Sequence, residues 1–157
     1  LLLLMGEPVE EVSCFSSRSR AECFADYEFD SCSVTILKFA NGRVGKVAAC
    51  IDCLQPYYFH FHLVGSKGSL LDNKLYTTEL PGLNKERWTT LETAMLDSGE
   101  VTDHPYLPQM QAFVESIQTG VDEPLTNFEQ GFRSHQVMFA AEQSARLGRG
   151  VKLSELG

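Results

Sequence analysis

The sequence predicts an α+β fold, a two-layer sandwich in which a predominantly antiparallel (mixed) sheet carries helices on one face. Three observations lead there. Short runs rich in β-branched and aromatic residues, punctuated by turn residues, fill the first half of the chain. Two longer segments with apolar residues at helical spacing fill the second half. The two kinds of segment are segregated rather than alternating, which argues against a doubly wound α/β arrangement.

Residues 1–5 (LLLLM) read as the last turn of a helix, because Gly6 is a helix stop and Pro8 blocks continuation. Five residues do not nucleate a helix alone, so the run is expected to be the end of a longer helix whose beginning is missing. A buried first strand is the other reading. It is a poor signal peptide, lacking a basic flank and a small-residue cleavage site.

Residues 9–15 (VEEVSCF) and 33–39 (SVTILKF) read as strands. Asn41-Gly42 is a tight hairpin turn, and 44–53 returns as the partner strand. Pro56 breaks that strand and 57–64 (YYFHFHLV) makes the next. Gly65-Ser66-Lys67-Gly68 turns the chain again. Shorter strands are expected at 69–71, 75–78 and 87–91, giving an antiparallel meander. Pro105 suits the first turn of a helix running to about Thr119, with Leu107, Met110, Phe113, Val114 and Ile117 on one stripe. Asn127 followed by Gln130 is a capping-box-like start for a second helix, which Gly148 ends. Ala140, Ala141, Ser144 and Ala145 leave it a close-packing surface, and 150–153 (GVKL) reads as a last strand.

Two helices cover one face of such a sheet. Tyr57, Phe59, Phe61 and Leu63 would share one side of their strand, and Tyr58, His60, His62 and Val64 the other; neither row is charged. An uncharged sheet face of that size predicts an interface, met by a second copy of the chain or by another domain.

Composition narrows the function classes. The chain has 157 residues and a formal net charge of −8, so a phosphate backbone would be repelled on average. No apolar run approaches the roughly 20 residues a membrane helix requires. Five cysteines, an odd number in a chain of this size, do not suggest a disulfide framework; reduced, buried thiols in a cytoplasmic protein are expected. Cys50-Ile-Asp-Cys53 is formally C-x-x-C, but in a continued strand its thiols would point to opposite faces.

No G-x-G-x-x-G, G-x-S-x-G or H-E-x-x-H motif is present. Gly65–Gly68 resembles a shortened phosphate loop, yet it opens no helix and is read as a turn. His60-x-His62 would place two imidazoles on one face, without a carboxylate or third histidine at a convincing spacing, so no metal is expected. His104 is read as a helix cap or site residue and His135 as a helix histidine. Asp97, Glu100 and Asp103 are read as a solvated acidic loop.

Several segments together resemble one family. "VGSKGSL" (64–70), "HPYLPQMQAFVESIQTG" (104–120) and "EPLTNFEQGFRSHQVMFAAEQSARLGRGVKL" (123–153) resemble the carboxy-terminal domain of the Gfo/Idh/MocA oxidoreductases, named for glucose–fructose oxidoreductase and inositol dehydrogenase. "GEPVEEV" (6–11, continuing to Val12) and "FANGRVGKV" (39–47) fit the same order. The resemblance implies the carboxy-terminal domain fold of glyceraldehyde-3-phosphate dehydrogenase-like proteins over residues 1–157. It implies a preceding Rossmann domain for NAD or NADP, an E-K-P lysine and an H-x-x-D helix, none of which this sequence contains.

The whole protein would then transfer hydride between a nicotinamide and a hydroxyl or carbonyl of a sugar, cyclitol or related compound. This domain would line the substrate pocket and build a homo-oligomer through its sheet. Tyr57 resembles a substrate-facing position of inositol dehydrogenase-like members, and Tyr58 is the weaker candidate on the opposite side. No catalytic, cofactor-binding or metal residue is assigned within the chain, which is expected to be inactive alone and to bind no NAD(H). The contrasting class is a free-standing, non-catalytic binding or scaffold module of the same fold.

Overall fold

The computed structural model describes residues 1–55, 59–92 and 104–157. It divides into two compact units, Leu1–Leu54 with Gln111–Gly157, and Gln55–Met110. Each contains one four-stranded sheet, and every strand pairing among the described residues is antiparallel.

In the first unit, helix α1 (Leu2–Met5) leads into β1 (Val9–Ser17), followed by β2 (Cys32–Phe39) and β3 (Val44–Cys50). Gly6 closes α1 in the left-handed region at φ 65°, so the first residues form a helical turn rather than a strand. Asn41-Gly42 makes the β2–β3 turn, with Gly42 at φ 82° and Phe39 N–H donating to the Arg43 carbonyl at 2.9 Å. The carboxy-terminal strand β8 (Val151–Lys152) pairs with the free edge of β1, giving the order β3-β2-β1-β8. The meander therefore holds for three strands, while the fourth comes from the far end of the chain.

Alternation sets the core. Thr35, Leu37 and Phe39 of β2 are buried, whereas Val34, Ile36 and Lys38, which alternate with them, are exposed. Val9 and Val12 of β1 are both buried although three residues apart. A bulge between Val9 and Glu11 resets the alternation and lets Val9 face Phe39. Helix α3 (Phe128–Leu147) packs on this face through Ala140 and Ser144, one turn apart. It starts as expected, with the Asn127 carboxamide accepting from Gln130 N–H at 3.0 Å, and ends at Gly148, φ 65°.

Ser144 ties three elements together. Its hydroxyl accepts from Cys14 N–H at 2.9 Å and donates to the Arg149 carbonyl at 2.7 Å. It occupies the place along β1 that β8 would fill if it were longer. Gly150 passes so close to β1 that a Cβ there would lie 2.4 Å from the Glu11 carboxylate.

The second unit holds β4 (His62–Val64), β5 (Ser69–Leu71), β6 (Lys74–Tyr76) and β7 (Thr89–Thr90), paired in that order. Gly65–Gly68 joins two strands, as expected of a turn, with Gly65 N–H donating to the Gly68 carbonyl at 3.0 Å. A Cβ on Gly68 would sit 2.8 Å from the Tyr76 carbonyl oxygen, so the second glycine is required by close approach to β6.

Helix α2 (Tyr106–Thr119) ends at Gly120, φ 68°. Its expected apolar stripe exists, but Leu107, Met110, Phe113, Val114 and Ile117 are all exposed. Among the described residues, α3 supplies the buried helical contribution to the core.

The α+β class is observed, with three corrections of detail. Among the described residues the strands pair as two four-stranded sheets, where one was expected. The strand expected at 57–64 is confined to His62–Val64 among the described residues, because Phe61 pairs with a turn rather than with a neighbouring strand. Burial of the thiols also differs: Cys14 is buried and Cys32 half-buried, while Cys23, Cys50 and Cys53 are exposed. All five are free.

Candidate functional site

Tyr57 and Tyr58, the sequence-derived candidates for substrate contact, lie outside the described residues, as do Asp97, Glu100 and Asp103. The chain that follows the tyrosines is organised by one carboxylate. Asp72 opens the two-residue turn between β5 and β6 in the left-handed region, φ 52°, a backbone state that aspartate tolerates better than most residues. Its amide donates to the Phe61 carbonyl at 2.7 Å, and its side chain accepts from Phe61 N–H at 3.0 Å. The same carboxylate meets His60 Nδ1 at 3.0 Å, and the His60 and His62 rings are 6.3 Å apart.

Sequence reasoning missed the His60–Asp72 pair. The turn signal at Asp72-Asn73 was the available clue, since a two-residue turn brings its first residue back beside an adjacent strand. A carboxylate on Nδ1 favours the tautomer with the proton on that nitrogen. Among the described residues, no group of three or more His, Cys, Asp or Glu side chains is placed to hold a metal ion. His104 stacks on Tyr106 with ring centroids 5.4 Å apart, and its carbonyl accepts from Tyr106 N–H at 2.8 Å at the start of α2. His135 Nδ1 meets the Gly131 carbonyl at 2.8 Å, as expected for a histidine satisfied within its own helix.

A second polar cluster sits at the end of β3. Because that strand stops at Cys50, the opposite-face argument for Cys50 and Cys53 does not apply. Cys50 Sγ donates to the Asp52 carboxylate at 2.9 Å, and Cys53 Sγ to the Cys50 carbonyl at 3.4 Å. Ser31 donates to the other Asp52 oxygen at 3.0 Å. These donors hold the Asp52 carboxyl below its ordinary range, Cys50 contributing most. In return, the hydrogen bond to this anion pushes the Cys50 thiol up to about 12. Asp52→Asn removes that anion, so Cys50 is expected to alkylate about tenfold faster or more at mildly alkaline pH. Peptide-resolved iodoacetamide kinetics check this; an unchanged Cys50 rate would refute the carboxylate's role.

The first sheet also presents an uncovered apolar face. Phe15, Val34, Ile36 and Val44 are 74%, 40%, 37% and 65% exposed. The register places Phe15 opposite Val34, Val34 opposite Ala48, and Lys38 opposite Val44. Lys38, Lys46 and Glu11 share this outer side of the sheet, and Phe59, Phe61 and Val64 of the run expected to form an interface are exposed as well.

The antiparallel sheets, helix α3 packed on one of them and the glycine turns define an α+β domain. Residues 1–153 match the family described as "Oxidoreductase family, C-terminal alpha/beta domain", and the chain belongs to that Gfo/Idh/MocA family. No curated protein sequence matches the chain.

Solved structures share its fold. An oxidoreductase from Agrobacterium radiobacter, in complex with NAD+, L-tartaric acid and magnesium, superposes with a TM-score of 0.75 at 15% identity, over 99% of this chain and 46% of that one. A myo-inositol dehydrogenase from Corynebacterium glutamicum gives 0.68 at 21% identity, over 93% and 44%. Aldose-aldose oxidoreductase from Caulobacter crescentus, complexed with glycerol, gives 0.70 at 20% identity, over 96% and 43%. The chain thus spans less than half the length of each of these proteins, and at such identities the likeness is one of fold.

Proposed function

We propose that this chain is the substrate-pocket and assembly domain of an NAD(P)-dependent oxidoreductase acting on a sugar, cyclitol or related hydroxy compound. The observation that carries the proposal is the family match over residues 1–153. The glycine-rich turn among the described residues does not fit a dinucleotide. That turn, Gly65–Gly68, joins two strands and opens no helix whose amide groups could bind a pyrophosphate. In this reading the nucleotide belongs to a separate Rossmann domain of the same protein, and no redox step is assigned to residues here.

What this chain contributes is recognition. Tyr57 is the first candidate for a hydrogen bond to a substrate hydroxyl, and Tyr58 the second. His60, held by Asp72, follows three residues along the chain. The outer face of the first sheet, centred on Phe15, Val34 and Val44, is the surface assigned to a second copy of the chain. Five free thiols suit a reducing, cytoplasmic setting.

The test has two arms. The 157-residue chain, titrated with NADH and read by fluorescence of Trp88, is expected to show no saturable quenching. The reading frame upstream of Leu1 is expected to encode a Rossmann domain. The protein carrying it should reduce NAD+ or NADP+ with a polyol or aldose, and Tyr57→Phe should lower kcat/KM about tenfold without changing NADH affinity. Saturable NADH binding by the 157-residue chain, or a start codon adjacent to Leu1, would overturn the proposal.

A further inference from the structure

Independent of the oxidoreductase reading, the strand register brings two thiols face to face. Cys32 of β2 is the direct partner of Cys50 of β3. Hydrogen-bonded and non-hydrogen-bonded pairs alternate along an antiparallel ladder, and only the latter bring side chains close, with Cα atoms about 4.5 Å apart. In this ladder the odd-numbered pairs carry the bonds: Ile51 N–H donates to the Ser31 carbonyl and Phe39 N–H to the Arg43 carbonyl, each at 2.9 Å. Cys32–Cys50, one step inward from Ser31–Ile51, is therefore a non-hydrogen-bonded pair. Disulfides bridge Cα separations from about 4.4 Å upward, so this spacing is within reach of a bridge. Cys50 is exposed and Cys32 half-buried.

We propose that Cys32 and Cys50 form a reversible disulfide across β2 and β3, a thiol-modification site whose oxidant is a low-molecular-weight disulfide such as oxidised glutathione. The Cys32 thiolate attacks one sulfur of the oxidant RSSR, forming a mixed disulfide and releasing RS⁻. The Cys50 thiolate then attacks the Cys32 sulfur and expels the second RS⁻. The two thiol protons end on the two RSH products. Two electrons pass from the protein to the oxidant, and one RSSR becomes two RSH.

Cys32 is the first attacker, because the Cys50 thiol is tied to the Asp52 carboxylate; that carboxylate takes the Cys50 proton as Cys50 resolves the mixed disulfide, and passes it to the departing RS⁻. Cys53 is the competing partner. It lies beyond the end of β3, however, and its thiol points to the Cys50 carbonyl. A bridge at Cys32–Cys50 would pin the point where the chain leaves β3, a few residues before Tyr57.

The experiment oxidises the native protein with excess oxidised glutathione, blocks remaining thiols with N-ethylmaleimide, and maps peptides without reduction. The expected product is a peptide pair joined through Cys32 and Cys50, lighter by two hydrogens and cleaved by dithiothreitol. Cys53→Ser should retain this link. Cys50→Ser should lose it and accumulate glutathione on Cys32 instead. A dominant Cys50–Cys53 product would overturn the proposal. So would complete maleimide labelling of both Cys32 and Cys50, or a link that forms only in urea-unfolded protein.

Discussion

Phe39→Ala is expected to destabilise the chain by about 3–5 kcal/mol, the range for emptying a buried aromatic site. Phe39 is fully buried at the end of β2 and packs in the core with Val9, Val12, Leu37, Ala140 and Val151. The backbone around it is also committed: a Cβ on Gly45 of β3 would already lie 3.2 Å from the Phe39 ring. Marginal stability makes such a loss a large fraction of the total.

The measurement is a urea unfolding curve read by circular dichroism, with Phe15→Ala as its control. Phe15 is equally large and also in the first sheet, but 74% exposed, so its truncation should shift stability by no more than about 0.5 kcal/mol. Equal losses for the two variants would mean that the burial pattern of β1 and β2 is wrong. If the outer face is the interface proposed above, Phe15→Ala should weaken self-association in sedimentation while leaving Phe39→Ala as the variant that unfolds.

Ser144→Ala is expected to cost about 2 kcal/mol, more than its small change in volume suggests. The hydroxyl is buried and satisfies Cys14 N–H and the Arg149 carbonyl at once. Removing it leaves a strand amide without its partner beneath α3, and an unsatisfied buried polar group costs about 1–3 kcal/mol. Ser134→Ala is the matched control. That hydroxyl donates to the Gln130 carbonyl on the exposed side of the same helix, where water replaces it. Similar unfolding midpoints for the two serine variants would refute the bridging role.

Local chemistry was legible in the residues themselves. Asn127 before Gln130, Gly148 after Leu147, Asn41-Gly42 and Gly65–Gly68 each produced the expected cap or turn, because a cap or a positive φ depends on a few adjacent residues. The alternation in 33–39 likewise reported which side of β2 is buried. Of the run 57–64, only His62–Val64 is a strand among the described residues, because aromatic alternation states that a segment can be a strand, not which neighbour it pairs with. Phe61 is held by the Asp72 turn, and the strand begins at His62.

The same limit governed the functional residues. His60 was visible as a histidine, but its carboxylate partner, Asp72, lies twelve positions away and is delivered by a turn. The Cys50-x-x-Cys53 spacing drew attention to the wrong pair. The register shows that Cys50 faces Cys32, and a one-residue slip would have turned Cys32 to the other side of the sheet.

The sequence by itself determined the α+β class, the family, the places where helices stop and strands turn, and the lack of a dinucleotide loop at Gly65–Gly68. These follow from local backbone preferences and from motif order along the chain. Only the tertiary structure decided that the described strands pair as two sheets, that β8 closes the edge of β1, that Ser144 serves a strand amide, and which side chains meet Cys50 and His60. Those choices depend on pairings between distant residues, where one register step exchanges the buried and exposed faces.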